Sequence, residues 1–276
     1  MGVRGRRSVH CLRCAPVLFA LAAGCAFAAI SPLSAQVAAS AQVDRTGPDA
    51  TPPIPPPPAP ASKSPPAFEV WTGGDAASRV MSLYAGVTWA PSGSVRADGW
   101  RLRLSGGLAQ YRYDTRIDGT PTMVRGTATF SDLLAGYHLG MGELTLKLFG
   151  GVTLDDHGLR PFDAGNPVHA RAIGFKAAAE LWSNLPDDMF LSLNASWTDA
   201  HAAYAGRIRI GKRVMSWLSV GAEAVAAGNA AGDDRRGGGF LRVHWGENEL
   251  TASGGISKDD FGRRGGYGTL VYMTRF

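Results

Sequence analysis

From residue 67 to the C-terminus, apolar residues recur at every second position, and charged, hydroxyl-bearing or glycine residues fill the positions between them. A period of two is the spacing of a β-strand, whose successive side chains leave on opposite faces. In residues 100–108 one face carries Trp100, Leu102, Leu104 and Leu108, and the other carries Arg101, Arg103, Ser105 and Gly107. The pattern returns in Leu144, Leu146, Leu148, Val152 and Leu154 against Thr145, Lys147, Gly151, Thr153 and Asp155. It returns again in Ile173, Phe175, Ala177, Ala179 and Leu181 against Gly174, Lys176, Ala178 and Glu180, and also in 189–198 and 218–224. A soluble β-sandwich alternates too, but charged and small residues opposite an apolar face on so many strands imply a polar interior and an apolar exterior.

This predicts an all-β fold, an antiparallel transmembrane β-barrel. The strands fall at 67–75, 80–90, 99–113, 122–139, 143–155, 168–183, 189–199, 204–213, 217–227, 238–246, 249–258 and 267–276. They number twelve, and single-chain bacterial barrels have an even number of strands. With the amino end of the barrel in the periplasm, the inside turns fall at 91–98, 140–142, 184–188, 214–216 and 247–248. The longest external loops fall at 156–167, 228–237 and 259–266. Aromatic residues near strand ends, such as Trp71, Trp89, Trp100, Tyr137, Trp182, Trp197, Trp217, Trp245 and Tyr272, suit the girdles found where barrels cross the two bilayer interfaces. The last strand ends in Phe276 with Tyr272 on the same face, the form of a C-terminal signal read by barrel-assembly machinery.

What precedes residue 67 is of a different kind. Arg4, Arg6 and Arg7 stand before an apolar run over 15–30, and Leu33-Ser34-Ala35 offers a small-residue cleavage site, so residues 1–35 form a secretory signal peptide. The apolar run is shorter than the ~20 residues of a membrane-spanning helix. Ala22-Ala23-Gly24-Cys25 approximates a lipoprotein processing site, with Ala where a branched apolar residue is usual; the plainer reading is a cysteine inside the signal's apolar core. Residues 36–66, rich in Ala, Ser and Pro, form an extended periplasmic linker before the barrel of 67–276.

The net charge of +5 includes Arg4, Arg6, Arg7 and Arg13 of the signal; without residues 1–35 there remain 24 Lys and Arg against 23 Asp and Glu, which excludes a nucleic-acid footprint. All three cysteines lie in the first 25 residues, so a disulfide or thiolate site in the folded part is excluded. Asp155-Asp156-His157 sets two carboxylates beside an imidazole, the residue types of a hydrolase or a cation site. No G-x-S-x-G motif accompanies them, and a solvated loop is the expectation. Asp233-Asp234-Arg235-Arg236 and the related 259–264 read as polar loop tips able to meet lipopolysaccharide phosphates. The inward arginines Arg101, Arg103, Arg207 and Arg209 are candidates to line the lumen against Glu180 and Glu223. No catalytic, cofactor-binding or metal-binding residue is expected.

The segment Glu69-Val70-Trp71-Thr72-Gly73-Gly74-Asp75, with Ser82–Gly86, Trp89-Ala90-Pro91, Arg101-Leu102-Arg103, Gly106-Gly107, Tyr111-Arg112-Tyr113 and 132–137, resembles the cellulose biosynthesis protein BcsS family of alphaproteobacteria. The resemblance spans most of residues 67–276, and Trp71, Thr72, Gly73, Gly74 and Asp75 are its candidate family motif. It implies a non-enzymatic outer-membrane accessory of bacterial cellulose synthesis and export, without a cofactor. Its expected partners are outer-membrane lipids and lipopolysaccharide, the assembly machinery, and components of the cellulose synthase complex or the glucan chain itself. A porin or adhesin-like barrel is the alternative, and an outer-membrane lipid or polysaccharide hydrolase a further one.

Overall fold

The computed structural model describes residues 65–259 and 263–276; the signal peptide, Cys25 and nearly all of the linker lie outside the described residues. Twelve strands form, as the alternation predicts: β1 (Phe68–Ala77), β2 (Val80–Trp89), β3 (Gly99–Ile117), β4 (Thr120–Met141), β5 (Leu144–Arg160), β6 (Ala170–Asn184), β7 (Met189–Thr198), β8 (Tyr204–Met215), β9 (Leu218–Asn229), β10 (Gly232–Trp245), β11 (Asn248–Asp259) and β12 (Arg264–Arg275). Each is antiparallel to its neighbours in sequence, and β1 pairs β12, so the sheet is a closed barrel. The seam is completed by reciprocal hydrogen bonds between Phe68 and Phe276, N to O at 2.8 and 3.0 Å. Closure matters because a sheet edge exposed to lipid would leave backbone groups with no partner.

Outward positions form an apolar belt. Leu102, Leu104 and Leu108 on β3, Leu133 and Tyr137 on β4, Leu148 and Val152 on β5, and Leu270 on β12 are all exposed, and Ile173 and Ile256 reach 74% and 72%. So continuous an exposed apolar surface identifies a lipid-facing wall. The belt has an upper limit: beyond Leu108 the outward residues of β3 become Gln110, Arg112, Asp114 and Arg116. Strands β3, β4 and β5 run 19, 22 and 17 residues, well beyond the ~9–11 a tilted strand needs to cross the hydrocarbon. They therefore project past the membrane at the upper end, opposite the termini. The β3–β4 hairpin closes on Asp118-Gly119 with φ of 50° and 81°, the doubly positive pair of a two-residue hairpin turn.

Several strands are longer than the sequence suggests, and the corrections share one cause. Residues 156–160, assigned above to an external loop, continue β5, and the connection shrinks to 161–169. Residues 232–237 likewise belong to β10, so the loop over 228–237 is a tight turn at Ala230-Ala231, and β12 begins at Arg264. Above the membrane both strand faces meet water or polar neighbours, so the apolar alternation that marks a strand disappears while the ladder of hydrogen bonds continues.

Small residues let the strands approach. A Cβ on inward Gly151 would lie 2.1 Å from the Leu133 carbonyl oxygen and 2.8 Å from the Leu134 Cα, whereas outward Gly237 has open space. Gly151→Val is expected to destabilise the barrel by about 1–3 kcal/mol through overpacking. Gel migration with and without boiling checks it: the unboiled wild type and Gly237→Ala run fast, and Gly151→Val loses part of the fast band.

Candidate functional site: a plugged lumen and its upper mouth

The lumen is filled, and charges fill much of it. Glu69 on β1 accepts from Arg275 Nε at 3.1 Å and faces Lys147 Nζ at 3.7 Å; Lys147 also faces Glu180 at 3.5 Å, and Arg103 meets Glu180 at 2.5 Å. Asp132 accepts from Lys176 Nζ at 2.7 Å, Thr153 at 2.7 Å and Ser105 at 3.0 Å. Across the barrel, Glu223 receives Arg209 at 2.8 Å and the Tyr267 hydroxyl at 3.0 Å, with Arg207 at 3.8 Å. Arg242 stands 3.2 Å from Glu249, its guanidinium within 5.1–5.6 Å of the Trp182, Phe190 and Phe240 rings. A buried charge is tolerated only when paired and hydrogen-bonded, and each of these acids sits against a cation.

The candidate motif supplies part of the plug. Trp71 points inward and is 1% exposed, with the Arg103 guanidinium 5.0 Å from its ring. Its indole lies over Gly86, where a Cβ would stand 2.3 Å from Trp71 Cζ2; Gly73 makes the same room for Tyr84. Thr72 and Gly74 face outward, Thr72 donating to the Tyr84 carbonyl at 3.1 Å. Asp75 closes the top of the plug, taking Arg236 Nη1 at 2.6 and 2.7 Å and Thr269 at 2.8 Å.

At the lower end the connection 90–98 folds beneath the barrel. Val95 and Ala90 are buried, Val95 N donates to the Pro66 carbonyl at 2.8 Å, and Arg96 pairs with Glu247 on the β10–β11 turn. Arg101 holds this flap through the Ala97 carbonyl and meets the His138 ring at 3.0 Å, while His138 contacts the Val95 carbonyl at 3.1 Å. Arg101 thus serves the flap, its guanidinium bonded to the Trp100 and Ala97 carbonyls and the His138 ring. Lys147, Lys176, Arg242, Glu249, Glu69 and Arg275 join the lumen-lining candidates; their place on the polar face of the alternation is the signal that finds them.

The upper end opens into a cavity of about 740 Å³ lined by Tyr111, Tyr113, His157, Asp163, Tyr204 and Asp233 among others. The connection 161–169 folds into it: Tyr113 Oη donates to Asp163 at 3.0 Å and accepts from Asn166 Nδ2 at 2.8 Å. Tyr204 donates to Asp233 at 2.6 Å. Burial pushes the Tyr111 hydroxyl up to about 12, so it stays protonated and neutral at physiological pH. Residues Asp155 to His157 are not a solvated loop: they lie in β5, with Asp155 and His157 inward and Asp156 outward, paired with Arg171 at 3.2 Å. Asp234 and Arg236 are likewise inward strand residues rather than loop tips, 2.5 Å apart. At the C-terminus Tyr272 and Phe276 face outward in the lower girdle, Tyr272 donating to Asn248 at 2.7 Å and Phe276 stacking on Phe68 at 6.0 Å.

A closed antiparallel barrel with an apolar belt, aromatic girdles and a polar interior defines the class of transmembrane barrels found in bacterial outer membranes. Solved structures of similar shape include the KdgM porin (11% identity, 75% of this chain and 99% of that one, TM-score 0.43). Others are the Acinetobacter baumannii outer membrane protein Omp33 (14%, 76% and 98%, TM-score 0.37) and the β domain of the Bordetella autotransporter BrkA (18%, 77% and 100%, TM-score 0.42). A search of curated proteins gives no match. The family model of the cellulose biosynthesis protein BcsS matches residues 69–276, and the chain belongs to that family.

Removing one member of a buried pair strands the other. Glu180→Leu is expected to lower stability by about 3–5 kcal/mol, and Arg103→Met combined with Glu180→Leu to recover much of that. Urea unfolding in lipid vesicles checks both.

Proposed function

We propose that this protein is a non-enzymatic outer-membrane accessory of cellulose secretion, exported by a cleaved signal peptide and tethered by its proline-rich linker, that acts at the cell surface and does not conduct the glucan. The filled lumen carries this reading. A chain threading the barrel would have to separate Glu180 from Arg103 and Lys147, break Asp75 from Arg236, and displace Trp71 and the Trp182–Phe190–Phe240 stack. Each broken pair leaves charges unsatisfied in a confined interior. The cavity at the upper end remains accessible, and its tyrosines and carboxylates offer flat rings and acceptors to sugar hydroxyls of an emerging glucan.

The non-enzymatic part is supported by the state of the acid–imidazole pair that the described residues place at the mouth. His157 Nδ1 is taken by the Tyr111 hydroxyl at 3.0 Å and Nε2 faces Asp155 at 3.2 Å, so neither ring nitrogen has a serine to activate. The outward belt and the Phe276 terminus support contact with outer-membrane lipids, lipopolysaccharide and the barrel-assembly machinery.

Planar-bilayer recording of the purified barrel is the test. No resolved channel openings are expected from the wild type, and an Arg103→Ala, Glu180→Ala, Trp71→Ala variant should conduct. Steady wild-type openings would restore the porin reading. Deleting the gene should lower secreted cellulose, with recovery by the wild-type copy; unchanged cellulose would remove the accessory role.

A further inference from the structure

One inward acid differs from those in the plug. Glu180, Glu223, Asp132 and Asp75 each face an arginine or lysine, whereas Asp155 faces two imidazoles, with no lysine or arginine ion-paired to it among the described residues. Asp155 and His157 are two apart on β5 and share its inner face, their side chains 16% and 9% exposed. His201 comes from the short turn Ala200–Ala202 between β7 and β8, and its ring stands edge-on to His157 at 5.0 Å. One ligand atom from each of Asp155, His157 and His201 lies within 4.8 Å of the other two.

The turn is held there. Asp199 Oδ1 accepts from Phe175 N of β6 at 2.7 Å, and Gly174 leaves the space it occupies: a Cβ at 174 would be 2.1 Å from that oxygen. Ala230 N donates to the His201 carbonyl at 2.9 Å, so the β9–β10 turn supports it from the other side. Despite this fixed placement, His201 Nε2 is buried with no hydrogen-bond partner among the described residues. A buried ring nitrogen beside a second imidazole and a carboxylate presents a lone pair that a cation can coordinate.

We infer that Asp155, His157 and His201 form a binding site for a divalent transition ion of the Zn²⁺ type at the upper mouth of the barrel. Two imidazoles and one carboxylate are a borderline-soft donor set suited to Zn²⁺ or Co²⁺ rather than Ca²⁺ or Mg²⁺. Bonds of ~2.0–2.1 Å in a tetrahedron set ligand atoms ~3.4 Å apart, so closing from the present spacing takes about an ångström of side-chain rotation. Three protein ligands leave a fourth position for water or a hydroxyl from the cavity, which His157 also lines. Binding through Nε2 puts the His157 proton on Nδ1, where it donates to the Tyr111 oxygen and fixes the ring. The ion would tie the β7–β8 turn to β5 across β6, stiffening the mouth.

The test uses the mature, tag-free barrel in detergent, freed of metal by a chelator and titrated with Co²⁺ followed by Zn²⁺ competition. One equivalent of Co²⁺ with the intense visible bands of tetrahedral coordination, displaced by Zn²⁺, is expected. His157→Ala and His201→Asn should weaken binding more than about tenfold, and Tyr111→Phe, which keeps the ring on Gly126, by about 10–100-fold. Asn suits the positive φ of 52° at His201, and the boiled-versus-unboiled gel shift reports that each variant is folded. His169→Ala should bind as the wild type does. No saturable binding by the folded wild type, or equal binding by folded His157→Ala and His201→Asn, would overturn the site.

Discussion

Everything in this molecule depends on the pairing of β1 with β12. In hydrocarbon an unpaired backbone amide or carbonyl has no water to turn to, so a sheet stands in a bilayer only if its first and last strands meet. The seam runs from Glu69 opposite Arg275 to Ala77 opposite Tyr267, and the terminal Phe276 completes it against Phe68. The same seam brings Glu69 and Arg275 to the inner face as an ion pair, so closure and plugging share residues.

Once closed, the barrel has an interior that must be satisfied without a hydrophobic core of the usual kind. Inward charges with little water around them must find opposite charges, and the lumen does this in chains: Arg275, Glu69, Lys147, Glu180 and Arg103 form one that crosses from β12 through β1, β5 and β6 to β3. Aromatic rings occupy the gaps and lie against the guanidinium groups of Arg103 and Arg242. Such a network resists opening because parting any pair strands charge on both sides. The same argument makes the upper mouth distinct. There tyrosines and histidines join the inward carboxylates, and Asp155 has imidazoles where the plug's acids have cations.

Strand number, order and facing were legible because the membrane and the lumen impose opposite polarities on alternate residues, so the pattern is written into the sequence wherever a strand crosses lipid. It fades above the bilayer, which is why the alternation alone ends β5 at Asp155 and starts β10 at Gly238, leaving Asp156, His157, Asp234 and Arg236 in apparent loops. The lower flap shows the same limit. Residues 90–98 stand out in sequence only as a long turn, yet Val95 and Arg96 bind across the barrel's base.

The sequence by itself determined the class of fold, because period-two polarity is a local consequence of strand geometry. It also determined that Arg101, Arg103, Arg207 and Arg209 share the polar face. Which acid each arginine meets was decided only by the tertiary structure: Arg103 finds Glu180 three strands away, Arg209 finds Glu223 on the next strand, and Arg101 turns to the flap. So was the meeting of His157 with His201. Those partners depend on closure, shear and the folding-in of loops, quantities that join residues far apart in the chain and leave no periodic trace in it.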